Sequence, residues 1–359
     1  MPARKVLLAL DGNSLAHRAF HGYEKSGLAR SDGSPAFAVY GFCTLMAGIC
    51  DKVRPDAMVV GFDDPRPEAS IRRRRWPHYK ANRPQKDPSL YSQMADIQAV
   101  LAELGVTVVV PQGLEADDVL GSAAAAAHTS GWDCVVATSD RDSFCLVSTH
   151  TTVLRLVSGL ENAVWMTPDR LLADYGVTGQ QYSDYAALRG DTSDNLPGVM
   201  GIGEKTAAKL LARMGDVKTA LASPAATAEL IGKANAAKLV AGREVWELNR
   251  EMMALHSDVP IELDNCVLGT EEHVSSEVMR RWEMPSLATK MATALAQVGA
   301  HGSLPAALGD QGDKNPPVAS SYPPTAPEHG TKRPGEPAGA GIWRPWCTKM
   351  PDRLPLTMH

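Results

Sequence analysis

At 359 residues the chain has ample length for two domains, or one large domain with additions, which excludes a marginal miniprotein. Its six cysteines form no C-x-x-C pair, the N-terminus charges too early for a signal peptide, and no apolar run approaches bilayer length, so a soluble protein of the reducing cytoplasm is expected. A net charge of −5 hides a segregated field, because positions 64–90 hold Arg66, Arg72, Arg73, Arg74, Arg75, Lys80, Arg83 and Lys86 against Asp64, Glu68 and Asp87, a formal +5.

In chain order, an apolar run from Val6 to Leu10 ends at Asp11-Gly12-Asn13 and leads into a helical pattern through Phe20, which reads as strand, turn, helix. A second helix is predicted from Ala36 to Lys52, then a buried strand from Ala57 to Phe62 that closes on Asp63-Asp64. After the basic segment come a helix over Leu90–Leu104, a strand over Val106–Val110, and an alanine-rich helix over Glu115–Ala127 whose opening carries three acids. Cys134–Ala137 is the next strand, ending in Thr138-Ser139-Asp140-Arg141-Asp142, and Val153–Val157 with Ala163–Met166 supply later ones. Short apolar strands alternating with helices predict an α/β fold with a mostly parallel sheet flanked by helices.

From Thr167 the pattern turns helical, with Pro168–Tyr175, Tyr182–Leu188, Lys205–Met214 and weaker helices to about Leu255. Val259–Leu263 reads as an extended piece and Ser275–Ala296 as a last helical region. Beyond Gly299 proline, glycine, serine and threonine dominate, so residues 299–359 are expected to be a disordered tail.

Within the helical part, Gly190 to Leu211 joins two acids to a glycine hairpin and a basic helix start. Gly198, Gly201 and Gly203 let the backbone turn tightly and bring N–H groups close to an anion, while Lys205 and Lys209 lie one helical turn apart and are placed to meet phosphates. The glycine spacing imitates a nucleotide-binding loop, but Glu204 stands where that loop needs lysine and no strongly apolar strand precedes it. A glycine-rich turn capping an ordinary helix is the plain alternative for this stretch alone.

Acids at predicted strand ends and helix starts form the main constellation: Asp11, Asp63, Glu115, Asp117, Asp118, Asp140 and Asp142, joined by Asp191 and Asp194. Each has a local explanation as a helix cap or turn former. Gathered at one sheet edge, so many carboxylates repel one another unless cations compensate. With no cysteine among them and no zinc spacing at His17 and His21, two Mg²⁺ ions, with Mn²⁺ as a substitute, suit the oxygen-only set, and the chemistry expected is phosphodiester hydrolysis.

Leu-Asp-Gly-Asn-Ser, Gly-Phe-Asp-Asp, Glu-Ala-Asp-Asp-Val-Leu, Thr-Ser-Asp-Arg-Asp and Gly-Asp-Thr-Ser-Asp-Asn-Leu-Pro-Gly-Val-Met-Gly-Ile-Gly-Glu-Lys-Thr-Ala stand in this order. The sequence closely resembles the 5′ nuclease, or 5′-3′ exonuclease and flap endonuclease, family from about Lys5 to Leu263, with a weaker echo over 281–287. The resemblance implies a PIN-like catalytic domain over 1–180 with a helical arch at about 64–90, a helix-hairpin-helix DNA-binding subdomain over 181–264, and a C-terminal helical extension over 265–298. It assigns Asp11, Asp63, Glu115, Asp117 and Asp118 to one metal cluster and Asp140, Asp142, Asp191 and Asp194 to a second, with Asp140 placed to influence both.

On the same pattern Arg72, Lys80 and Arg83 are expected at the scissile phosphate or the threaded strand, and Tyr79 is a candidate to stack on a base. The hairpin is expected to grip the duplex backbone through Gly198, Gly201 and Gly203 and to hold a monovalent cation such as K⁺. The implied substrate is DNA with 5′ ends, nicks or flaps, RNA-primed ends included, cut by a monomer during replication or repair. Nothing resembling a polymerase follows Leu263, so a stand-alone nuclease is expected. A PIN-like ribonuclease and a DNA-structure-binding protein with little catalysis are the competing readings. The stretch Gly190 to Leu211 couples Asp191 and Asp194 to the duplex grip, and its short length is expected to fix how far from the duplex junction the enzyme cuts.

Overall fold

The computed structural model describes residues 4–269 and 271–299. The tail expected beyond Gly299, Cys347 included, lies outside them. Six strands form one sheet in the order β3-β2-β1-β4-β5-β6: β1 Val6–Asp11, β2 Ala57–Gly61, β3 Thr107–Val109, β4 Asp133–Thr138, β5 Thr151–Arg155 and β6 Val164–Met166. All neighbours run parallel except β6, which returns antiparallel to β5.

The central strand shows why. Val6 through Leu10 are wholly buried, and successive side chains point to opposite faces. Val6, Leu8 and Leu10 enter a core beneath α1 (Gly12–Tyr23), α2 (Phe37–Val53) and α4 (Pro88–Glu103). Leu7 and Ala9 enter a second core beneath α5 (Ala116–Thr129). Two-sided burial explains a continuous apolar run in place of alternation, and each buried leucine contributes about 2 kcal/mol.

Between β2 and α4 the basic segment contains α3, only Ile71–Arg75. The expected helical arch is therefore reduced to five helical residues followed by turns, because Pro77 removes a donor and restricts Trp76 before it. After β6 come α6 (Pro168–Tyr175), α7 (Gly179–Arg189), α8 (Glu204–Met214), α9 (Val217–Ala222), α10 (Pro224–Ile231), α11 (Lys233–Ala241) and α12 (Arg243–Met252). The extended piece predicted at Val259–Leu263 does not join the sheet; the chain stays irregular there and enters α13 (Leu263–Cys266). The last helical region divides into α14 (Glu272–Arg281) and α15 (Ala288–Ala296), interrupted at Glu283, which has φ 59°, and at Pro285. Both pack into the core shared with α2, α14 through Val278 and Met279 and α15 through Met291 and Leu295, with Leu287 of the intervening turn beside them.

Candidate active site

Parallel register brings the C-terminal ends of β1, β2 and β4 level: Asp11 faces Gly61, and Leu10 faces Ala137. Asp11, closing β1, also caps α1. Its Oδ1 accepts from Ser14 N at 2.8 Å and its Oδ2 from the Thr138 hydroxyl at 2.6 Å. Capping and site membership thus coexist in one carboxylate. Asp63, just past β2, accepts from Ala116 N at 2.9 Å and from Asn13 Nδ2 at 2.7 Å, while Asn13 Oδ1 accepts from Asp63 N at 3.0 Å. That reciprocal pair fixes the rotamer of Asp63. Past β4, Asp140 Oδ1 accepts from Asp142 N at 3.0 Å.

Electrostatics sorts these acids into two groups. Burial, reinforced by Asp63 and Asp140, pushes Asp11 up to about 7. Burial together with Asp11 and Asp140 drives Asp117 well above the usual carboxylate range, and its Oδ1 is buried without a hydrogen-bond partner. Burial with Asp140, Asp191 and Asp194 pushes Asp142 up to about 8. Asp140 is the neighbour common to both groups.

Among the described residues no three carboxyl, imidazole or thiol groups converge on one point as they would around a bound ion. The donors nevertheless suit hard divalent cations: the set is all oxygen and mutually repulsive, running from buried Asp11 through half-buried Asp63 and Asp117 to exposed Asp140, with an unpartnered oxygen at Asp117.

Asp118 stands apart. Its Oδ1 accepts from Arg72 at 2.8 Å and from His256 N at 2.9 Å, and its Oδ2 from Arg72 at 2.7 Å and from Glu115 N at 2.9 Å. All four acceptor positions are filled, which leaves none for an ion. Arg72 is equally committed. Besides the bidentate pair it donates to Met252 O and Ala254 O, each at 2.8 Å, and lies 3.5 Å from Glu115. The arginine expected at a phosphate is instead a buried cross-link, and the acid expected at a metal is its counter-ion.

Tyr79 departs from expectation in the same way. It is 3% exposed, packs with Leu196 and Met252, and donates its hydroxyl to Glu115 at 3.0 Å, so no ring face is open to a base. Lys80 and Arg83 do reach the acids. The Lys80 ammonium donates to Glu115 at 2.9 Å, and the Arg83 guanidinium pairs with Asp194. Burial works against a charged Glu115, but Lys80 and Arg72 outweigh it and hold its carboxyl below the usual range.

Further bonds lace this segment to the loop bearing Asp191 and Asp194: Lys80 N to Asp194 O at 3.0 Å, Asn82 Nδ2 to Thr192 O at 2.7 Å, and Asn195 Nδ2 to His78 O at 2.8 Å. Lys80 and Asn195 both have left-handed backbones, with φ 55° and 59°.

The chain from Gly190 to Gly198 forms a closed ring. Asp191 and Leu196 exchange both backbone bonds at 2.8 Å, and Val199 N donates to Leu188 O at 2.8 Å. A Cβ on Gly190 would lie 2.3 Å from Gly198 N, and one on Gly198 would lie 2.1 Å from Arg189 O. From the ring the hairpin runs through Gly201, φ 77°, to Gly203, which precedes α8. Gly201, Gly203, Lys205 and Lys209 are exposed, and Met200 at the tip is 85% exposed. A cation that sequence reasoning missed is Lys238 of α11, whose side chain lies against Gly201. Nothing in the local pattern of α11 marks it. Asn13 and Asn249, also missed, are polar residues whose partners are remote in sequence.

Two family domains match in succession: the 5′-3′ exonuclease N-terminal resolvase-like domain over residues 6–176, and the 5′-3′ exonuclease C-terminal SAM fold over 177–273. The chain belongs to the 5′-3′ exonuclease family. Among curated relatives of this exonuclease-family chain, DNA polymerase I of Mycobacterium bovis is 38% identical over 253 residues, covering 70% of this chain and 28% of the relative. Thermostable DNA polymerase I of Thermus aquaticus is 37% identical over 264 residues, covering 73% and 30%. The chain thus spans under a third of the length of these polymerases. The T5 D15 protein, co-crystallised with metal ions, shares the fold at 18% identity and TM-score 0.56, covering 80% of this chain and 100% of that one.

Proposed function

We propose that this chain hydrolyses DNA phosphodiesters at 5′ ends, nicks and 5′ flaps, RNA-primed ends among them, in replication or repair. The carrying observation is that Asp140 is the shared neighbour of two groups of acids at one sheet edge. Asp11, Asp63, Glu115, Asp117 and Asp140 would hold one Mg²⁺ ion and Asp140, Asp142, Asp191 and Asp194 a second, with Mn²⁺ as a substitute. Such ions, when bound, neutralise charge on the scissile phosphate and acidify water. The T5 D15 flap endonuclease, which shares the fold, has been crystallised in a pseudo-enzyme-product complex with DNA and metal ions.

The chain's own residues do the rest. Lys80 and Arg83 bring positive charge over the acids, where they orient a phosphate and balance its charge. Tyr79 donates to Glu115 and fixes its rotamer, and the Arg72–Asp118 pair anchors the first turn of α5. Gly198, Gly201 and Gly203 offer backbone N–H groups and Lys205, Lys209 and Lys238 offer cations to the duplex backbone, which positions DNA without reading its sequence. The hairpin from Gly198 to Gly203 would hold a monovalent cation such as K⁺, which would add positive charge at the duplex backbone. We assign the chain as a monomer of the reducing cytoplasm, in keeping with five free cysteines among the described residues.

The test is a labelled 5′-flap duplex incubated with Mg²⁺, with Mn²⁺ and with EDTA, beside Asp140→Asn and beside the same flap in RNA. Cutting near the junction that EDTA and Asp140→Asn both abolish is the expected result. Cutting in EDTA, silence with both metals, or cutting confined to RNA would overturn it.

A further inference from the structure

The two feet of the ring that carries Asp191 and Asp194 are bridged by the side chain of Asn249. Asn249 of α12 is wholly buried, and its Nδ2 donates to Ala187 O at 2.9 Å and to Pro197 O at 2.8 Å. Ala187 lies in the last turn of α7, where the helix leaves carbonyls without intrahelical donors. Two of them are served by backbone: Ala186 O accepts from Gly190 N at 2.7 Å and Leu188 O from Val199 N at 2.8 Å. Asp191 N, the donor that would serve Ala187 O in a longer helix, goes to Leu196 O. Asn249 supplies the missing donor.

Pro197 is the last residue before the hairpin, so the two carbonyls bracket the point where the chain enters the ring and the point where it leaves for the duplex grip. Facing two acceptors, the amide can present only its NH₂, which fixes its orientation, and its Oδ1 is left buried without a partner. An apolar residue would avoid that orphan oxygen but leave two carbonyls unserved.

The neighbours of Asn249 on α12 extend the connection. Arg250 pairs with Asp184 at 2.7 Å, Met252 packs on Leu196 and Tyr79, and Met252 O accepts from Arg72, whose partner Asp118 sits in the first turn of α5. One helix therefore touches the ring, the basic segment and, through Arg72, the first turn of α5.

We infer that Asn249 is a positioning residue that sets the spacing between the carboxylates of the ring and the hairpin, and through it the phosphodiester that is cut relative to the duplex junction. The inference rests on the nuclease reading above. Weakening this cross-link lets ring and hairpin shift against each other while each keeps its own contacts. Binding then survives, but the phosphate is no longer presented in one place, and a misplacement of about 1 Å costs on the order of a hundredfold in rate.

The experiment maps incision products at nucleotide resolution on a labelled 5′-flap duplex at saturating enzyme. Wild type is compared with Asn249→Asp, which cannot donate, and Asn249→Ser, which keeps one donor. Both are also assayed for KM, kcat and thermal melting. Expected are a spread of products around the principal site and a kcat reduced tenfold or more with KM within about twofold, largest for Asp and intermediate for Ser. An unchanged product ladder and kcat in the folded Ser variant, with only a lowered melting temperature, would overturn the inference even if the Asp variant does not fold. If wild type itself leaves the flap uncut, the nuclease reading fails instead.

Discussion

Arg72 and Asp118 were legible as charged residues but not in their roles, because four arginines in a row give no periodic sign of which one turns inward. The structure buries Arg72 and leaves Arg73, Arg74 and Arg75 in solvent. Removing one member of such a pair strands a buried charge, so Arg72→Met is expected to lower unfolding free energy by about 3–5 kcal/mol. Arg73→Met should lie within about 0.5 kcal/mol of wild type in the same urea titration. His17 belongs to this scale too. Burial, then Lys86, His21 and Arg83, hold its imidazole down at about 4. The unfolded chain takes up this proton near 6.5 and the folded one only near 4, so its contribution is whole above pH 6.5 and is lost as pH falls toward 4. His17→Asn should therefore lose less stability than wild type between pH 7 and pH 5, measured as the shift in urea midpoint. Equal shifts would show that other groups carry that slope.

Strands and long helices were readable from apolar runs and periodicity, which set β1, β2, β4 and α2 to within a residue or two. Two elements were not. The basic segment is irregular because Pro77 and the left-handed Lys80 interrupt it, and its bonds go to Thr192, Asp194 and Asn195, residues remote in sequence. Val259–Leu263 has the composition of a strand but lies where Val259 N donates to Ser122 Oγ at 3.1 Å and no sheet edge receives it. Beside the hairpin, Lys205 in the first turn of α8 was legible and Lys238 of α11, whose side chain lies against Gly201, was not. If each neutralises one phosphate, Lys205→Ala and Lys238→Ala should each lower the slope of log affinity against log salt by about one, with the double variant lowering it by about two. Titration with duplex DNA in EDTA, on the Asp140→Asn background that the proposed mechanism expects to be silent, measures this directly. A slope unaffected by Lys238→Ala would remove that residue from the interface.

At the scale of the molecule, the matched C-terminal domain ends at residue 273, yet the hydrophobic core does not. Val278, Met279, Leu287, Met291 and Leu295 fill the cluster that also contains Phe42 and Met46 of α2. At about 1.5–3 kcal/mol per side chain their burial is worth on the order of 10 kcal/mol, comparable with the whole stability of a domain. Ending the chain after residue 271 is therefore expected to abolish cooperative melting, whereas ending it after residue 299 should leave the melting transition of this core in place. Electrostatic anchors support the same docking: Glu283 accepts from Ser31 N at 2.7 Å and Ser31 Oγ at 2.6 Å, and Arg30 lies 4.8 Å over the Trp282 ring.

The mutual contact of Gly190 and Gly198 carries a consequence for anyone who would redesign this enzyme. Their α-carbons sit where any methyl group would strike backbone, while Thr192 and Ser193 between them face solvent. A saturation library across the ring should accordingly return a barred pattern: two columns at 190 and 198 that admit nothing but glycine, and broad chemistry only at 192 and 193 between them. New side chains for altered substrate choice can be grafted at the crown of the ring, but a length change has nowhere to go, because its feet already touch.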